Sequence, residues 1–461
     1  MTDLQLTTAE IARFEEEASR LLSFARASRH DGGGFGWLDE HGRLSPERPV
    51  ETWITCRMTH VFGLAQLRGD ASAAAYVDHG IAALTGLLHD DDNGGWHSAV
   101  SPETGEVVST VKEGYAHAFV VLAATTAYAA GRPGAEALLD DALSVMEERF
   151  WREDDGMILD VWSADWTTLD GYRGVNANMH AVEAFLAVAE VTGHRVWLER
   201  ALRILERVVH GLAREHDWRL PEHFSSAWAV DLDYNVDEPG HPFRPYGVTI
   251  GHLFEWARLA LHARTLLGAD APSWLLEDPQ SLLAAATSRG WSVDGAPGFV
   301  YTTDFADRPV VRERMHWVAA EAVAAAWTLF RDTGSAAALA DVRRWWAYCE
   351  EHLVDREGGS WHHELDALNQ PSATVWPGKP DVYHAYQTVI LPLLPAGASF
   401  AGAAVSLVGA TSFRPASAAS GVETNTVPSG AIGDRVGLDT PPPSGSGGST
   451  SGGGSTSGRT A

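Results

Sequence analysis

The sequence predicts an all-α protein whose twelve helices form an (α/α)6 barrel, with short β-hairpins in the long loops at one end. Two observations predict this fold. Apolar residues recur with helical periodicity along residues 9–395, and the gaps between helical segments alternate between long and very short. Short gaps force neighbouring helices to run antiparallel, so the chain forms six helical hairpins, which close most economically into a ring. An open superhelix of the same hairpins is the alternative.

The helical segments differ in what precedes them. Every second segment follows a long gap of roughly 20 to 33 residues, and the others follow gaps of about six residues or fewer. The segments after long gaps are expected to be the inner helices of the barrel. In chain order the twelve segments span 9–28, 52–68, 72–89, 113–130, 134–151, 175–192, 195–213, 247–267, 274–290, 312–332, 335–354 and 382–395.

The six long loops resemble one another. Each combines a turn with alternating apolar and polar residues, which is typical of a short hairpin. The six stretches read GGGFGWLDE, NGGWHSAV, DGMILDVW, HDWRLPEHF, GAPGFVYTTDF and EGGSWHHELD. They recur about every 60 to 80 residues and so mark an internal repeat. In a barrel these loops gather where the inner helices begin, and the functional site is expected there.

Residues 397–461 differ in composition from the rest of the chain. They are rich in Ala, Gly, Ser, Thr and Pro, and they end in PPPSGSGGSTSGGGSTSGRTA. Such a composition buries too little apolar surface to order itself. The sequence therefore predicts a catalytic barrel domain over 1–396 and a disordered tail over 397–461.

Charge and cysteine content limit the classes of partner. The formal charge of -27 argues against nucleic acid and anionic membranes as partners. The chain has two cysteines, and neither a signal peptide nor a membrane span is visible in it. A cytoplasmic, soluble protein is expected, either a monomer or a homo-oligomer.

Polar side chains occupy the first turns of all six predicted inner helices. A single His on an apolar helix is more often a hydrogen-bonded core residue than a catalyst. When six helices place such groups at the same end of the barrel, burying them is costly unless they face water or a polar ligand. Trp37, Trp53, Trp96 and Trp376 in the loops would extend this surface, which suits a polyhydroxylated ligand. The helix pairs are Arg57 with His60, Tyr115 with His117, Asn176 with His180, His252 with Glu255, Trp317 with Glu321, and His384 with Gln387.

These helices also carry a family resemblance. The stretches TCRMTHVFGLA, NANMHAVEAFL, GVTIGHLFEWARL, HWVAAEAVAA and GKPDVYHAYQ resemble the N-acylglucosamine 2-epimerase family of (α/α)6-barrel sugar isomerases and epimerases, in the family's order. The opening GGGFGWLDEHGR is more similar to the aldose–ketose isomerase branch, which includes mannose isomerase and sulfoquinovose isomerase. The resemblance covers most of residues 9–395.

The resemblance implies an enzyme that interconverts D-mannose and D-fructose by proton transfer through a cis-enediol. Two histidines, His252 and His384, would be the acid–base pair. His384 is expected to move the proton between C2 and C1, and His252 to assist ring opening and proton transfer at the oxygens. Arg57 would stabilise the enediolate. The expected substrate-binding set is Arg57, Tyr115, Asn176, His180, Arg244, Glu255, Trp317 and Glu321, with Glu255 also orienting His252 and Glu321 fixing a hydroxyl or partnering a histidine.

Other activities stay open at this stage. The alternatives within the family are C2-epimerisation of a free or N-acylated sugar and isomerisation of sulfoquinovose. From other classes come an inverting glycoside hydrolase that uses Glu255 and Glu321 and a non-catalytic sugar-binding module.

No metal and no cofactor are expected, because the inner residues are mostly neutral or histidine. His362, His363 and Glu364 are neighbours on one strand and face opposite sides, so they are not expected to bind a metal. Lys379 is expected in a surface loop rather than in Schiff-base chemistry.

Overall fold

The computed structural model describes residues 5–408. All twelve predicted helices are present in this part of the chain, and a thirteenth follows them. The helices are α1 Thr8–Ala25, α2 Thr52–Leu67, α3 Ala74–Leu84, α4 Gly114–Ala129, α5 Ala135–Val145, α6 Val175–Thr192, α7 Arg195–Leu205, α8 Ile250–Leu267, α9 Trp274–Gly290, α10 His316–Thr333, α11 Ala336–Tyr348, α12 Tyr383–Ile390 and α13 Phe400–Val408. Helices α5, α7 and α11 end earlier than the predicted segments, because each is followed directly by a π-helical segment. These segments are Met146–Phe150, Glu206–Ala213 and Cys349–Leu353.

The even-numbered helices from α2 to α12 form a closed inner ring. Each contacts the next even-numbered helix, and α12 returns to α2. The odd-numbered helices from α1 to α11 lie outside this ring, where each packs against neighbouring inner helices. The (α/α)6 barrel is thus confirmed, and the open superhelix is wrong because the ring closes.

Side-chain composition explains which helices lie inside. The inner helix α4, GYAHAFVVLAATTAYA, is buried nearly all round, and its many small residues allow neighbours to approach on both sides. The outer helix α7, RVWLERALRIL, buries Trp197, Leu198 and Ile204 on one face, while Arg195 and Glu199 remain exposed on the other.

Short strands tie successive long loops together at one end of the barrel. A strand stands immediately before each inner helix from α2 to α10 and pairs antiparallel with a strand of the following loop. These pairs fix the height at which each inner helix begins. They are β1 Val50–Glu51 with β2 Ala99–Val100, β3 Val111–Glu113 with β6 Val161–Ser163, β7 Arg173–Gly174 with β8 His223–Phe224, β9 Val248–Thr249 with β10 Thr302–Thr303, and β11 Arg314–Met315 with β12 Glu364–Leu365. A separate hairpin joins β4 Trp151–Arg152 to β5 Met157–Ile158.

A tight antiparallel turn recurs in all six long loops and confirms the predicted repeat. The turns are closed by Leu38 with Leu44, Val100 with Val107, Trp162 with Leu169, Phe224 with Val230, Thr303 with Pro309, and Leu365 with Pro371. The first residues of successive turns are 62 positions apart, except for Phe224 and Thr303, which are 79 positions apart. Most of the extra length lies between β8 and β9, in a loop that reaches over the mouth of the barrel.

The predicted domain boundary at residue 397 is wrong, because the barrel continues to α13. This helix packs against α2, α4 and α6 and buries Phe400, Ala401 and Ala404. The Glu190 carboxylate holds its start, accepting hydrogen bonds from the Ala398 amide at 3.0 Å and the Ser399 hydroxyl at 2.7 Å. The rest of the predicted tail, 409–461, lies outside the described residues. Among residues 5–408, no helix combines the length and apolar character needed to cross a bilayer.

Candidate active site

Eight of the ten predicted site residues line one cavity, where the inner helices begin. The cavity contains about 610 Å³ of space not filled by protein atoms, part of it open to solvent. Buried polar atoms without a hydrogen-bond partner occur on several lining residues, including Asn176 Oδ1, His180 Nδ1 and Glu255 Oε2. In the cavity these atoms are available to bond a polar ligand. The eight residues are Arg57, Tyr115, Asn176, His180, His252, Glu255, Trp317 and His384.

His384 lies in the first turn of α12, with its Nδ1 atom 2.9 Å from Glu321 Oε1. The carboxylate oxygen accepts a hydrogen bond from the Nδ1–H group, so Nε2 is the ring nitrogen left for a ligand. Burial lowers the pKa of His384, although the hydrogen bond to Glu321 opposes this effect. The imidazole is therefore neutral near pH 7 and can accept a proton.

His252 lies in the first turn of α8 and has an equivalent arrangement with a different carboxylate. Its Nδ1 atom is 2.9 Å from Glu222 Oε1, and Glu222 is only 4% exposed. The expectation that Glu255 orients His252 is wrong. Although the two share a helix face, the His252 imidazole turns toward the loop before β8, and the carboxylate of Glu255 lies toward His180 and Arg258.

Trp317 contacts both imidazoles. Its ring centroid is 5.3 Å from that of His252 and 5.7 Å from that of His384. The two histidines therefore face one cavity, each within contact distance of the same indole. A ligand resting against Trp317 therefore lies close to both imidazoles.

A buried guanidinium, Arg258, balances the carboxylates below the cavity. It donates to Glu321 at 2.7 Å and 3.3 Å and to Glu255 at 3.4 Å. Burial alone would raise the pKa of Glu321, but Arg258 and His384 outweigh it and lower the pKa. Burial and the nearby Glu321 charge raise the pKa of Glu255 well above its usual range. Glu321 does not line the cavity, and it contacts His384, as the second of its two expected roles requires.

Arg57 supplies the positive charge of the cavity wall. It donates to Asp381 Oδ2 at 3.2 Å and to the Tyr115 hydroxyl at 2.8 Å. Its guanidinium also lies 5.0 Å from the Trp53 ring centroid and 4.7 Å from that of Tyr383. These contacts fix the guanidinium at one position and neutralise it with one carboxylate.

Aromatic side chains close the cavity toward solvent. Trp53, Trp376 and Phe243 contact one another, with ring centroids 5.2 to 6.2 Å apart. Of the predicted loop tryptophans, Trp53 and Trp376 line the cavity, whereas Trp37 stacks behind Trp376 and Trp96 is buried elsewhere in the core.

Arg244 is not in this cavity. Its guanidinium lies 3.9 Å from the ring centroid of Tyr172 and donates to the Tyr234 hydroxyl at 3.4 Å, in a neighbouring outer cavity. Phe243 lines both cavities and lies between the two spaces. The reason is the longer loop before β9, which carries Phe243 inward and the adjacent Arg244 outward.

Three polar partners of the inner helices turn out to be structural. His60 Nδ1 lies 2.6 Å from the Thr126 hydroxyl, His117 accepts from the Trp96 amide at 3.1 Å, and Gln387 donates to Glu183 at 3.0 Å. Lys379 is buried rather than in a surface loop, and it donates to Asp355 at 2.6 Å.

Several lining residues were not predicted from the sequence. They come from loops or from the edge of an inner helix, where helical periodicity carries little signal. Tyr301, His316, His363 and Asp381 lay in stretches that the sequence had drawn attention to, but none of them was singled out as a substrate or catalytic residue. The cavity-lining residues outside the predicted set include Phe243, Tyr301, His316, His363 and Asp381, and Glu222 supports the cavity from behind His252.

The structure bears on two of the alternative chemistries. Ligand atoms of Glu255, Glu321 and His384 lie within 4.8 Å of one another, as do those of His180, Glu183 and Glu255. The argument that few carboxylates line the inner helices was therefore incomplete, because Glu183 joins the other two. The same distance is shorter than the 6.5–9.5 Å separation that an inverting glycosidase needs, which argues against Glu255 and Glu321 as its carboxylate pair.

Comparisons with known proteins agree with this architecture. The sequence profile of the N-acylglucosamine 2-epimerase family matches residues 33–388. A D-mannose isomerase of Thermobifida fusca is 53% identical over 404 residues, which is 87% of this chain and 99% of that protein. A D-mannose isomerase of Pseudomonas cannabina pv. alisalensis is 49% identical over 85% of this chain and 94% of its own length.

Solved structures give the same result. A crystal structure of a D-mannose isomerase superposes with a TM-score of 0.78 and 26% identity, covering 83% of this chain and 97% of that one. The closed ring of inner helices, the cavity at their first turns and the sequence match over residues 33–388 lead to one conclusion. The chain belongs to the N-acylglucosamine 2-epimerase family.

Proposed function

We propose that the protein is an aldose–ketose isomerase that interconverts D-mannose and D-fructose by metal-independent proton transfer through a cis-enediol. The observation that carries this proposal is the pair of imidazoles that line one cavity and contact Trp317, each bonded through Nδ1 to a buried carboxylate. Two acid–base groups around one ligand position are what proton transfer between adjacent carbons requires. The name of the 53% identical relative supports the same activity.

The two histidines have separate tasks in this mechanism. His384, neutral and buried, takes the proton from C2 of the opened sugar and returns it to C1. His252 moves protons at the ring oxygen, O1 and O2. Arg57 stabilises the negative oxygen of the enediolate, because its guanidinium is already fixed by Asp381 and Tyr115 and needs no reorganisation. Asn176, His180 and Trp317 hold the sugar in this position.

The charges around the cavity support a neutral monosaccharide as the substrate. Arg57 is paired with Asp381, and Arg258 with Glu321. Arg244, which could have met a sulfonate, lies in the outer cavity. Sulfoquinovose therefore finds no unpaired cation among the residues that line the inner cavity. The aromatic wall of Trp53, Trp376 and Phe243 also favours a single sugar ring.

We further infer a cytoplasmic enzyme that needs no cofactor. Both cysteines, Cys56 and Cys349, are buried free thiols, which suits a reducing compartment. A divalent cation at either three-residue group would lie beside Glu255 and near the Arg258 guanidinium, whose positive charge opposes it.

Metal-stripped protein in deuterated water is expected to convert mannose to fructose with deuterium at C1. The reason is that a proton held on His384 exchanges with solvent before it is returned to carbon, whereas a hydride shift carries no solvent hydrogen. NMR of the product measures both the ketose and the label. Activity that returns only when a divalent metal is added would contradict the proposal. A C2-epimer as the main product would instead assign the same apparatus to epimerisation.

The variant Glu222→Gln is expected to lower kcat about 10- to 100-fold with little change in KM. The amide keeps the shape of the side chain but replaces a charge-assisted hydrogen bond with a weaker neutral one, and it can also donate to Nδ1 and so reverse the tautomer. Steady-state kinetics with mannose measures the effect. Glu238→Gln, an exposed residue of the loop before β9, is the control. Wild-type kcat in Glu222→Gln would show that His252 does not depend on this carboxylate.

A further inference from the structure

His316 is a buried histidine of the cavity wall that the proposed mechanism does not use. It is the first residue of α10, directly before Trp317, and it is 5% exposed. Its ring stacks on that of His363, with centroids 3.9 Å apart and planes inclined by 24°. Both rings line the inner cavity together with Asp381 and His384.

The two ring nitrogens of His316 are in different situations. Nδ1 lies 3.3 Å from the backbone carbonyl oxygen of His363, which can only accept a hydrogen bond. Nδ1 must therefore carry the ring proton. Nε2 is fully buried and has no hydrogen-bond partner. In the neutral imidazole this atom holds a lone pair, so it can accept a hydrogen bond but cannot donate one.

The surroundings of His316 keep it neutral. Burial, with the nearby His384 and Arg57, lowers the pKa of His316 to about 3, although Asp381 opposes the shift. So weak a base cannot remove a proton from carbon at neutral pH. The ring is also held in place, because His363 beneath it donates from Nε2 to the Asp381 carbonyl oxygen at 3.1 Å. What remains for His316 is a fixed acceptor facing the ligand.

We propose that His316 is a specificity residue, whose Nε2 accepts a hydrogen bond from one hydroxyl of the bound sugar outside the reacting C1–C2 unit. The inference rests on the proposed isomerase function and names a recognition contact within it. A sugar without this hydroxyl leaves the buried acceptor unpaired. A sulfonate, phosphate or carboxylate at the same carbon has no proton to donate and meets the lone pair with its own negative oxygens. His316 thus selects neutral sugars with a hydroxyl at that position.

The test compares mannose with its 3-deoxy, 4-deoxy and 6-deoxy analogues in the wild type, in His316→Phe and in His316→Gln. In the wild type, one analogue is expected to lose about 10- to 100-fold in kcat/KM because the acceptor loses its partner. In His316→Phe, kcat/KM for mannose should fall by a similar factor, whereas kcat/KM for that analogue should not fall below its wild-type value. His316→Gln, which offers an oxygen near the Nε2 position, should recover part of the loss.

The control is a buried histidine at the other end of the same barrel. His262 on α8 is 4% exposed and contacts Phe400, so His262→Phe makes the same chemical change away from the cavity. In this variant, the kcat/KM values of the three analogues relative to mannose should be the same as in the wild type. Thermal unfolding of all variants checks that each is folded.

Two results would overturn the inference. One is that His316→Phe lowers kcat/KM for all four sugars by one common factor, which indicates a structural role. The other is that it leaves kcat/KM for mannose unchanged. Dissociation constants for the same sugars, measured by tryptophan fluorescence, give a second readout that needs no turnover. A wild type that binds these sugars without isomerising mannose would contradict the proposed function, while the binding pattern would still decide the role of His316.

Discussion

The variant His384→Asn is expected to lower kcat for mannose isomerisation by about 10²- to 10⁴-fold, the usual contribution of a general base. Asparagine offers an N–H near the position of Nδ1, so the hydrogen bond to Glu321 is kept. It has no nitrogen at the position of Nε2, so the proton at C2 has no acceptor. Rates of mannose turnover and of solvent deuterium exchange at C2 measure the loss.

The kcat of the companion variant His252→Asn should fall by a similar factor, since asparagine keeps the hydrogen bond to Glu222 and lacks only the second nitrogen. Because the two imidazoles act together in the same isomerisation, one at carbon and the other at oxygen, the double variant should be little slower than the slower single variant. His41→Asn, in an exposed turn of the first long loop, is the control. Wild-type exchange at C2 in His384→Asn would remove that residue from the mechanism.

The sequence was sufficient for the barrel because its signals are local. Helical periodicity and the alternation of long and short gaps depend only on neighbouring residues, and both were confirmed by the closed ring of α2 to α12. The short helix α13 was missed because its residues, FAGAAVSLV, share the small-residue composition of the tail that follows. Its order comes from contacts with α2, α4 and α6, which no local pattern reveals.

The candidate site was predicted in part for a related reason. Groups in the first turns of inner helices could be found, because a helix fixes where each residue faces. Partners that meet through the fold could not be found. Glu222 lies 30 positions before His252 and outside any helix. Arg244 was expected to bind the sugar, but the longer loop before β9 turns it away from the cavity.

Arg258 shows most clearly how a hidden partner matters, and its loss is expected to destabilise the protein. The variant Arg258→Met should lower the free energy of unfolding by about 3 to 5 kcal/mol, the usual cost of removing one member of a buried ion pair. Methionine fills the space but leaves Glu321 charged and without its cation. Denaturant unfolding followed by circular dichroism measures the change.

The matched control lies on the same helix. Arg264 bonds to Asp332 at 2.9 Å with its side chain 28% exposed, so Arg264→Met should cost about 1 kcal/mol or less. Equal losses in the two variants would contradict the interpretation.

A second change separates charge from packing at this position. Adding Glu321→Gln to Arg258→Met removes the unpaired carboxylate together with its cation. The double variant should therefore be more stable than Arg258→Met alone, because most of the cost comes from an uncompensated charge rather than from lost contacts. His384 would keep a neutral partner but lose the carboxylate, so activity should fall even where stability returns. Arg258 then stabilises the fold and, through Glu321, fixes the state of the proposed base.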